Sequence, residues 1–408
     1  MAGLRTSLAR APAWVPCALV LGAGVLHAQQ PVTREQVVAA ALARGPRVAL
    51  AAPDTSAARA TLIAAREFQN PTVSASYSKD VPQYHAGVDL PLDLPWIRRA
   101  RIRVAAEAQS SARLRFAFEQ AGARFGAEQA YTAALAAAAH ARLSRRNALD
   151  ADSLLRMAVL RRDAGDASEL DVQLSTVNAG QLANDAAGDS ADAVTALLEV
   201  QREMGLAADR ASIGLADSLA QPPADTAAPS SGPTLRVAAA EASARSADAA
   251  LSFAHRSVFA SPSLTLGFDT HDPTGAETGL LPTFGLALTF PLLNWNGGAI
   301  AAAAAERDRA RAELEVARRE SDAAVAQARR DLAVAVRKAE RDRALVASAD
   351  RVAAMSLTAY AEGAVALPSV LEAQRQAREA LGHLIDDLAS ANTADAAVRL
   401  FTASEGAP

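Results

Sequence analysis

The sequence predicts a mainly α-helical protein with a small β part, built as a tandem duplication of one unit. Segments 29–205 and 233–400 show the same order of helix, two short strands, one very long helix, a glycine turn and a return helix. Landmark residues recur in the same order in both copies. Pro71 and Gly165 of the first copy correspond to Pro262 and Gly363 of the second. Repetition of one supersecondary unit at a fixed order constrains the architecture strongly.

The composition supports long helices rather than one compact core. Half of the chain is hydrophobic (50%) but only 4% is aromatic, because alanine makes up much of the apolar part. A compact core of this size normally contains more large side chains. Alanine is the best helix former, and its small side chain lets neighbouring helices approach closely.

Residues 1–28 are predicted to be a secretory signal peptide. Arg5 and Arg10 precede an apolar stretch, and His27-Ala28 ends it. The alternative is a membrane anchor, but the apolar stretch is short for a span and contains Pro16. The only cysteine, Cys17, lies inside this segment. The mature chain is therefore expected to have no disulfide and no cysteine metal site.

Charge and hydropathy restrict the remaining classes. The formal net charge is −4, and removal of the signal arginines makes it more negative, so no basic stripe suggests nucleic acid. After the signal, no window is long and apolar enough for a membrane helix. Any crossing of a membrane is then expected to use β-strands.

Four segments alternate between apolar and small or polar residues. They are predicted strands at about 71–79, 84–92, 261–270 and 282–291. In the first, Val73, Ala75 and Tyr77 oppose serines. Such strands fit the wall of a membrane β-barrel, whereas a soluble sheet with one buried face shows the same alternation. The signal peptide and the scarcity of other large residues to cover a sheet favour the membrane wall.

Each strand pair leads into a long helix, at about 98–163 and about 299–362, and neither helix contains proline. Each would be roughly 95–100 Å long at 1.5 Å per residue. Apolar residues recur every seven positions in the second helix, as in a coiled-coil seam: Val325, Leu332, Ala339, Val346 and Ala353. The glycine turns lead into return helices, about 168–204 and 368–400.

The connecting segments are expected to be less regular. At the start, a helix is predicted to end at about Arg44 before Gly45-Pro46, followed by a second helix at about 55–69. Residues 206–232 are rich in proline and serine and are interpreted as a linker or irregular belt. Residues 401–408 form a C-terminal tail.

This arrangement resembles the TolC-like outer-membrane efflux protein family over about residues 31–400. The likeness is carried by four features, which are the opening segment Thr33–Pro46, the two strand-opening prolines, the segment Phe290–Ala301 and the turn Gly363–Ala373. The asparagine- and glycine-containing corner at 294–298 is similar to that of the heavy-metal efflux branch of the family.

The resemblance implies a homotrimer whose strands close a twelve-stranded β-barrel in the outer-membrane lipid, which removes exposed sheet edges. The long helices would continue it as an α-helical barrel across the periplasm. The implied function is an exit duct that passively conducts small molecules or metal ions. An inner-membrane pump of the resistance–nodulation–division type would supply them through a periplasmic adaptor protein. The implied adaptor-docking residues lie in the two turns: Gly165, Asp166, Ala167, Ser168, Gly363, Ala364, Val365 and Ala366.

Two further sets of positions follow from the resemblance. Asp171 and Glu372, just past the turns, could form a lumen constriction that favours cations, although acids in the first turn of a helix also stabilise that helix directly. The first turn departs from the family pattern because it is acidic, with Asp163, Asp166, Glu169 and Asp171. The strand-to-helix corners contain Pro91 in the first copy and Pro291, Gly297 and Gly298 in the second. The first corner lacks glycine and is expected to turn differently.

No catalytic motif, metal-ligand spacing or cofactor motif is recognised, so neither an enzyme nor a cofactor is predicted. The histidines after the signal are scattered, and only His85 and His271 lie close enough to the strand loops to meet. Two alternative functions stay open. A periplasmic coiled-coil adaptor or scaffold without a pore would need one long hairpin between compact β domains. An outer-membrane channel for type I protein secretion would share the fold.

Overall fold

The structure is a computed structural model that describes residues 30–223, 232–259, 261–271, 274, 279–288 and 290–404. The predicted signal peptide, part of the predicted linker and the last residues of the tail lie outside the described residues. The first copy contains β1 Gln30–Val32, α1 Arg34–Arg44, α2 Pro46–Arg66, β2 Thr72–Tyr77, β3 Tyr84–Pro91, α3 Pro95–Asp163 and α4 Glu169–Glu203. The remainder contains β4 Ile213–Leu215, α5 Leu235–Arg256, β5 Ser263–Thr270, β6 Leu281–Ala287, α6 Gly297–Ala361 and α7 Leu367–Thr402.

The duplicated, mainly helical fold class is confirmed. The order α2-β2-β3-α3-α4 repeats as α5-β5-β6-α6-α7. Helices α3 and α6 have 69 and 65 residues, which corresponds to about 100 Å each at the α-helical rise. Strands β2, β3, β5 and β6 form one antiparallel sheet in that order. Within the described part of the chain, no helix combines the length and apolar character needed to cross a membrane.

Three details differ from the sequence expectations. Helix α2 begins at Pro46 rather than at about residue 55, because proline is well tolerated in the first turn of a helix, and it continues through Pro53. The hydrogen-bonded part of β6 ends at Ala287, before the expected residue 291. The segment interpreted as a linker includes β4, which pairs in parallel with β1.

A buried tyrosine holds the described part of this connecting segment near β4. Tyr131 of α3 is fully buried, and its hydroxyl lies 2.9 Å from both Val32 O and Asp217 Oδ2. The same carboxylate oxygen accepts a hydrogen bond from Arg34 N at 2.9 Å, at the start of α1. Burial, together with the hydrogen bond to Asp217, raises the pKa of Tyr131 to about 12. The network ties the first strand and the segment after β4 to the middle of α3.

Helices α6 and α7 pack along a seam of small residues. All five predicted heptad positions of α6 are buried or half-buried, and the buried Ala328 and Ala335 lie between them. Alanine at these positions allows close approach of the two helices over many turns. The seven-residue period in the sequence therefore corresponds to a real interhelical contact.

A pair of aspartates interrupts this seam. Asp342 of α6 shares a hydrogen bond with Asp387 of α7, and Lys338 Nζ lies 3.6 Å from Asp387 Oδ1. Burial is the main reason that the pKa of Asp342 is raised above its ordinary value of 3.8, and the hydrogen bond with Asp387 adds to it. At pH values between 3.8 and the raised pKa of Asp342, the folded chain therefore binds more protons at this site than the unfolded chain.

We expect this pair to make stability depend on pH. Because the folded pKa is raised, the free energy of unfolding falls as the pH rises from 3.8 through the folded pKa of Asp342. Asp342→Asn should remove part of this slope, which denaturant unfolding at several pH values measures. Asp350→Asn, at an exposed position of the same helix, is the control. Equal slopes in the two variants would contradict the assignment.

Candidate functional site

The two hairpin turns have the same backbone geometry. Gly165 and Gly363 adopt positive φ angles of 85° and 79°. In each turn the glycine N–H and the next N–H donate to carbonyls of the last helical turn. Gly165 N donates to Arg162 O at 2.9 Å, and Ala364 N donates to Ala359 O at 2.8 Å. This is the Schellman arrangement for ending a helix, for which glycine is preferred because it lacks a Cβ atom.

The glycine requirement can be tested against a matched position. Nothing lies within 4 Å of a Cβ atom placed on Gly165 or on Gly298, so the two sites differ in backbone conformation rather than in space. Gly165→Ala should cost roughly 1–2 kcal/mol, because an L-residue is strained at positive φ. Gly298→Ala, inside α6, should be neutral or stabilising by up to ~1 kcal/mol. Denaturant unfolding compares them, and equal effects would contradict the role given to the turn glycine.

An arginine brings the two turns together in one chain. The Arg161 guanidinium donates to Tyr360 O at 2.6 Å and to Asp166 O at 3.3 Å. It also lies 4.6 Å from the centroid of the buried Tyr360 ring. Tyr360 packs in a small core cluster with Leu154 and Leu367. The predicted docking residues of both copies therefore form one continuous end of the molecule, and all of them except the half-buried Ala167 are exposed.

The acidic character of the first turn is partly compensated. Arg162 lies 2.7 Å from Asp163 Oδ1 and 3.2 Å from Glu169 Oε2. Hydrogen bonds from Gln173 and then from Arg162 lower the pKa of Glu169. Such exposed pairs contribute little to stability. Their consequence is electrostatic, since part of the negative charge at this turn is neutralised locally.

Each predicted constriction residue has a local partner. Asp171 forms a capping box with Ser168, whose backbone N and Oγ both donate to Asp171 Oδ2 at 3.0 Å. Glu372 accepts hydrogen bonds from Arg375 at 2.7 and 2.9 Å. Together with Gln376, Arg375 lowers the pKa of Glu372 to about 2. Asp171 therefore stabilises the first turn of α4. Glu372 lies beyond the first turn of α7 and pairs with Arg375 one turn further along the helix.

At the other end of the chain, the four-stranded sheet has one apolar and one polar face. Residues opposite each other in the register share a face, so Val73, Val88, Leu266 and Phe284 lie on the same side. Several side chains of this face are exposed in the single chain, including Val73 at 76% and Phe284 at 77%. A wide exposed apolar surface of this kind marks contact with lipid or with another protein.

Aromatic side chains lie near the hairpin end of the apolar face. The rings of Tyr77 and Tyr84 are 5.3 Å apart between centroids, and Tyr84 meets His271 edge-on at 5.5 Å. Tyrosines are common where a barrel wall meets the membrane–water interface. In the single chain His85 pairs with Asp269 on the polar face, whereas His271 packs on Tyr84.

On the polar face, His85 pairs with an acid of the neighbouring strand. His85 and Asp269 are opposite in the register of β3 and β5, and His85 Nδ1 lies 2.8 Å from Asp269 Oδ1. Thr283 Oγ1 of β6 donates to Asp269 Oδ2 at 3.3 Å. Further along the strands, Thr265 Oγ1 donates to Asp89 Oδ1. This cluster was not predicted from the sequence, although the alternation of β3 and β5 already places His85, Asp89, Thr265 and Asp269 in the polar phase.

The first strand-to-helix corner uses a buried ion-pair cluster instead of glycine. Asp93, whose side chain is 4% exposed, lies 2.7 Å from Arg101 Nη2 and 3.4 Å from Arg98 Nε. The two arginines then donate to carbonyl oxygens at the end of α2, Arg98 to Arg66 O at 2.5 Å and Arg101 to Ala65 O at 3.1 Å. Cations are favourable at a helix C-terminus, so the cluster joins α2 to the start of α3.

The second corner achieves the same junction with asparagine. Asn296 has a φ angle of 59°, and its Nδ2 donates to Ala254 O, near the end of α5, at 3.0 Å. Gly297 and Gly298 are the first two residues of α6. The left-handed residue of this corner is therefore Asn296, an amino acid that tolerates this conformation. Pro91 ends β3, whereas Pro291 lies beyond the last ladder residue of β6.

Among known proteins, the chain is similar to several solved structures. No protein-family model matches the chain, and no curated protein matches it either. A membrane protein from Pseudomonas aeruginosa superposes with a TM-score of 0.78 at 19% identity, over 90% of this chain and 93% of that one. The CmeC outer membrane channel of Campylobacter jejuni gives 0.77 at 14% identity, over 90% and 85%. CusC gives 0.75 at 16% identity, over 91% and 92%.

These likenesses cover nearly all of the described residues and nearly all of each neighbour. The resemblance drawn from the sequence is confirmed at the level of the fold. The chain therefore has the fold of the TolC-like outer-membrane channels.

Proposed function

We propose that the chain is an outer-membrane exit duct of a tripartite efflux system, extending into the periplasm. The observation that carries the proposal is the direct continuation of a sheet with an exposed apolar face into two helices of about 100 Å. The apolar face suits lipid, and the helices are long enough to line a passage away from it. The cargo would be small molecules, metal ions among them, moved by energy supplied elsewhere.

The sheet edges support assembly into a closed ring. In the order β2-β3-β5-β6, the described strands β2 and β6 each pair on one side only. They run in opposite directions, so β6 of one copy can pair antiparallel with β2 of the next. Lipid does not tolerate open sheet edges. Three copies joined head to tail would close a twelve-stranded barrel and leave no edge.

The turn end suits docking of a periplasmic adaptor. The turn residues are mostly exposed, and Arg161 holds the two turns side by side. In the ring, the turns of all copies would form one rim at the end opposite the strands. An adaptor that presents helical hairpins would contact this rim and connect it to an inner-membrane pump.

Asp171 and Glu372 are proposed to narrow the passage at the rim. Asp171 has no cationic side chain among its hydrogen-bond partners in the described residues, whereas Glu372 pairs with Arg375, which it shares with Glu379. We expect Asp171 to contribute more to cation preference, since repeated carboxylates around a pore favour cations. Single-channel recording should show a lower cation preference in Asp171→Asn than in Glu372→Gln. Unchanged preference and conductance in Asp171→Asn would remove Asp171 from the constriction.

Site-specific cross-linking tests the proposed function. Since Cys17 lies in the predicted signal, Ala364→Cys would be the only cysteine of the mature chain. Its thiol should cross-link in cells to a periplasmic protein with a long helical hairpin. Ala305→Cys, exposed near the strand end of α6, is the matched control and should not. Cross-linking from Ala305→Cys alone, or from neither variant, would contradict docking at the turns.

The scaffold alternative does not explain the sheet, whose apolar face would stay in water. A protein-secretion channel would have the same sheet and helices. The type of pump encoded beside this gene would therefore distinguish small-molecule cargo from secreted proteins.

A further inference from the structure

The polar face of the strands carries few charges, and nearly all of them are negative. The register forms three rows across the sheet: Thr72–Asp89–Thr265–Gly285, Ser74–Gly87–Gly267–Thr283 and Ser76–His85–Asp269–Leu281. The four described strands contain neither lysine nor arginine. Among the described strand residues of this face, Asp89, Asp269 and His85 are therefore the only ones with an ionisable side chain.

The middle row leaves this face open. Gly87 and Gly267 are opposite each other in the two central strands, so no side chain separates the two acidic rows there. Asp89 is opposite Thr265, which lies four residues from Asp269 on β5. At a rise of roughly 3.3 Å per residue, the two acidic rows lie about 13 Å apart along the strands. Ions passing along this face would meet two acidic levels with a wider section between them.

His85 lies beside the acid of one level. Its Nδ1 contacts Asp269 at 2.8 Å, and Thr283 contacts the other carboxylate oxygen, so the acid has fixed partners on both sides. The other members of the row, Ser76 and Leu281, carry no charge. Outside these rows, Lys79 and Asp80 lie in the β2–β3 turn, and His271, which packs on Tyr84, follows β5. Neutral imidazole leaves the charge of Asp269 in place, whereas imidazolium cancels it.

From this geometry we infer that the polar face is a cation-selective section of the duct whose selectivity is reduced by protonation of His85. The inference rests on the proposed function, because a closed ring is what turns the polar face into a lumen. The ring would repeat Asp89, Asp269 and His85 in each copy. Protonation of His85 in every copy would remove the net charge of the Asp269 level and leave the Asp89 level unchanged.

Reversal-potential measurements in planar bilayers test this inference. Purified trimer is recorded under a potassium chloride gradient while only the compartment facing the strand hairpins is acidified, from about pH 7.5 to about pH 5. Wild type should lose cation preference severalfold. His85→Asn, which keeps a donor for Asp269 without a titratable charge, should show a nearly constant preference. Asp269→Asn should already have the lower preference at the higher pH.

Two controls make the result decisive. His383→Asn, at an exposed position of α7, should keep the wild-type response, and His85→Gln replaces His85→Asn if the latter does not assemble. A wild-type response that persists in the His85 variants, or no response in wild type, overturns the inference and leaves the duct intact. A protein that forms no ion-conducting trimer at all overturns the proposed function itself.

Discussion

Arginine in place of Val73 should prevent assembly in the outer membrane, although Val73 is exposed in the single chain. The side chain is 76% exposed on the apolar face of β2, so a soluble protein would tolerate the change. In a barrel wall the same position faces lipid, where arginine costs about 2–4 kcal/mol near the bilayer midplane. The cost recurs in each copy of the ring. Membrane fractionation and immunoblotting measure the loss of assembled protein.

The adjacent residue provides the control. Ser74 is the next residue of the same strand and lies on the polar face, opposite Gly87. Ser74→Arg adds the same charge and a similar volume, but towards the proposed lumen, so assembly should be retained. Equal behaviour of the two variants would contradict the orientation of the sheet. Normal assembly of Val73→Arg would favour the soluble scaffold.

Removal of Arg399 should be the most destabilising single change in the helical part. Arg399 Nη2 lies 2.6 Å from Glu128 Oε2, and Nη1 contacts Asp395. The two acids are 7% and 3% exposed in their side chains. Arg399→Met would leave two buried carboxylates without this cation, which costs about 3 kcal/mol after allowance for the partial exposure of the arginine. Denaturant unfolding in detergent measures the change in free energy.

Two comparisons isolate the cause of that loss. Arg156→Met removes an arginine from an exposed pair with Asp152, with side chains 64% and 54% exposed, and should cost less than about 1 kcal/mol. Adding Glu128→Gln and Asp395→Asn to Arg399→Met should restore most of the stability, because no buried charge remains. If Arg399→Met costs no more than Arg156→Met, the cluster does not stabilise the contact between α3 and α7.

The sequence allowed the large elements to be predicted because their signals are local and repeated. Proline-free alanine-rich stretches predict the long helices, and Gly165 and Gly363 mark their ends through a backbone conformation that glycine favours. The seven-residue spacing around Ala339 predicts the seam between α6 and α7. The duplication supported these predictions, because each element occurs in both copies.

Other features depend on contacts between residues far apart in the chain. The bond between His85 and Asp269 depends on the register of β3 and β5, which no short motif records. The first corner was expected to differ, but its use of Asp93 required the end of α2 to be in place. Similarly, the ordering of the segment around Asp217 by Tyr131 could not be inferred from its proline-rich composition.

The positions of the candidate site residues could be predicted from the sequence, whereas their contacts could not. Both glycine turns were found, and their alignment by Arg161 and Tyr360 came only from the structure. Asp171 and Glu372 looked equivalent in the sequence, whereas their partners differ. Asp171 forms a capping box with Ser168. Arg375, in contrast, pairs with Glu372 and lowers its pKa to about 2.

The native mass of the mature protein, extracted in detergent from the outer-membrane fraction, tests the central claim most directly. Light scattering coupled to size exclusion, corrected for bound detergent, gives the number of chains. We expect a trimer in that fraction, with β6 of each copy paired to β2 of the next. A soluble periplasmic monomer or dimer would contradict the duct and return the strands to an ordinary sheet.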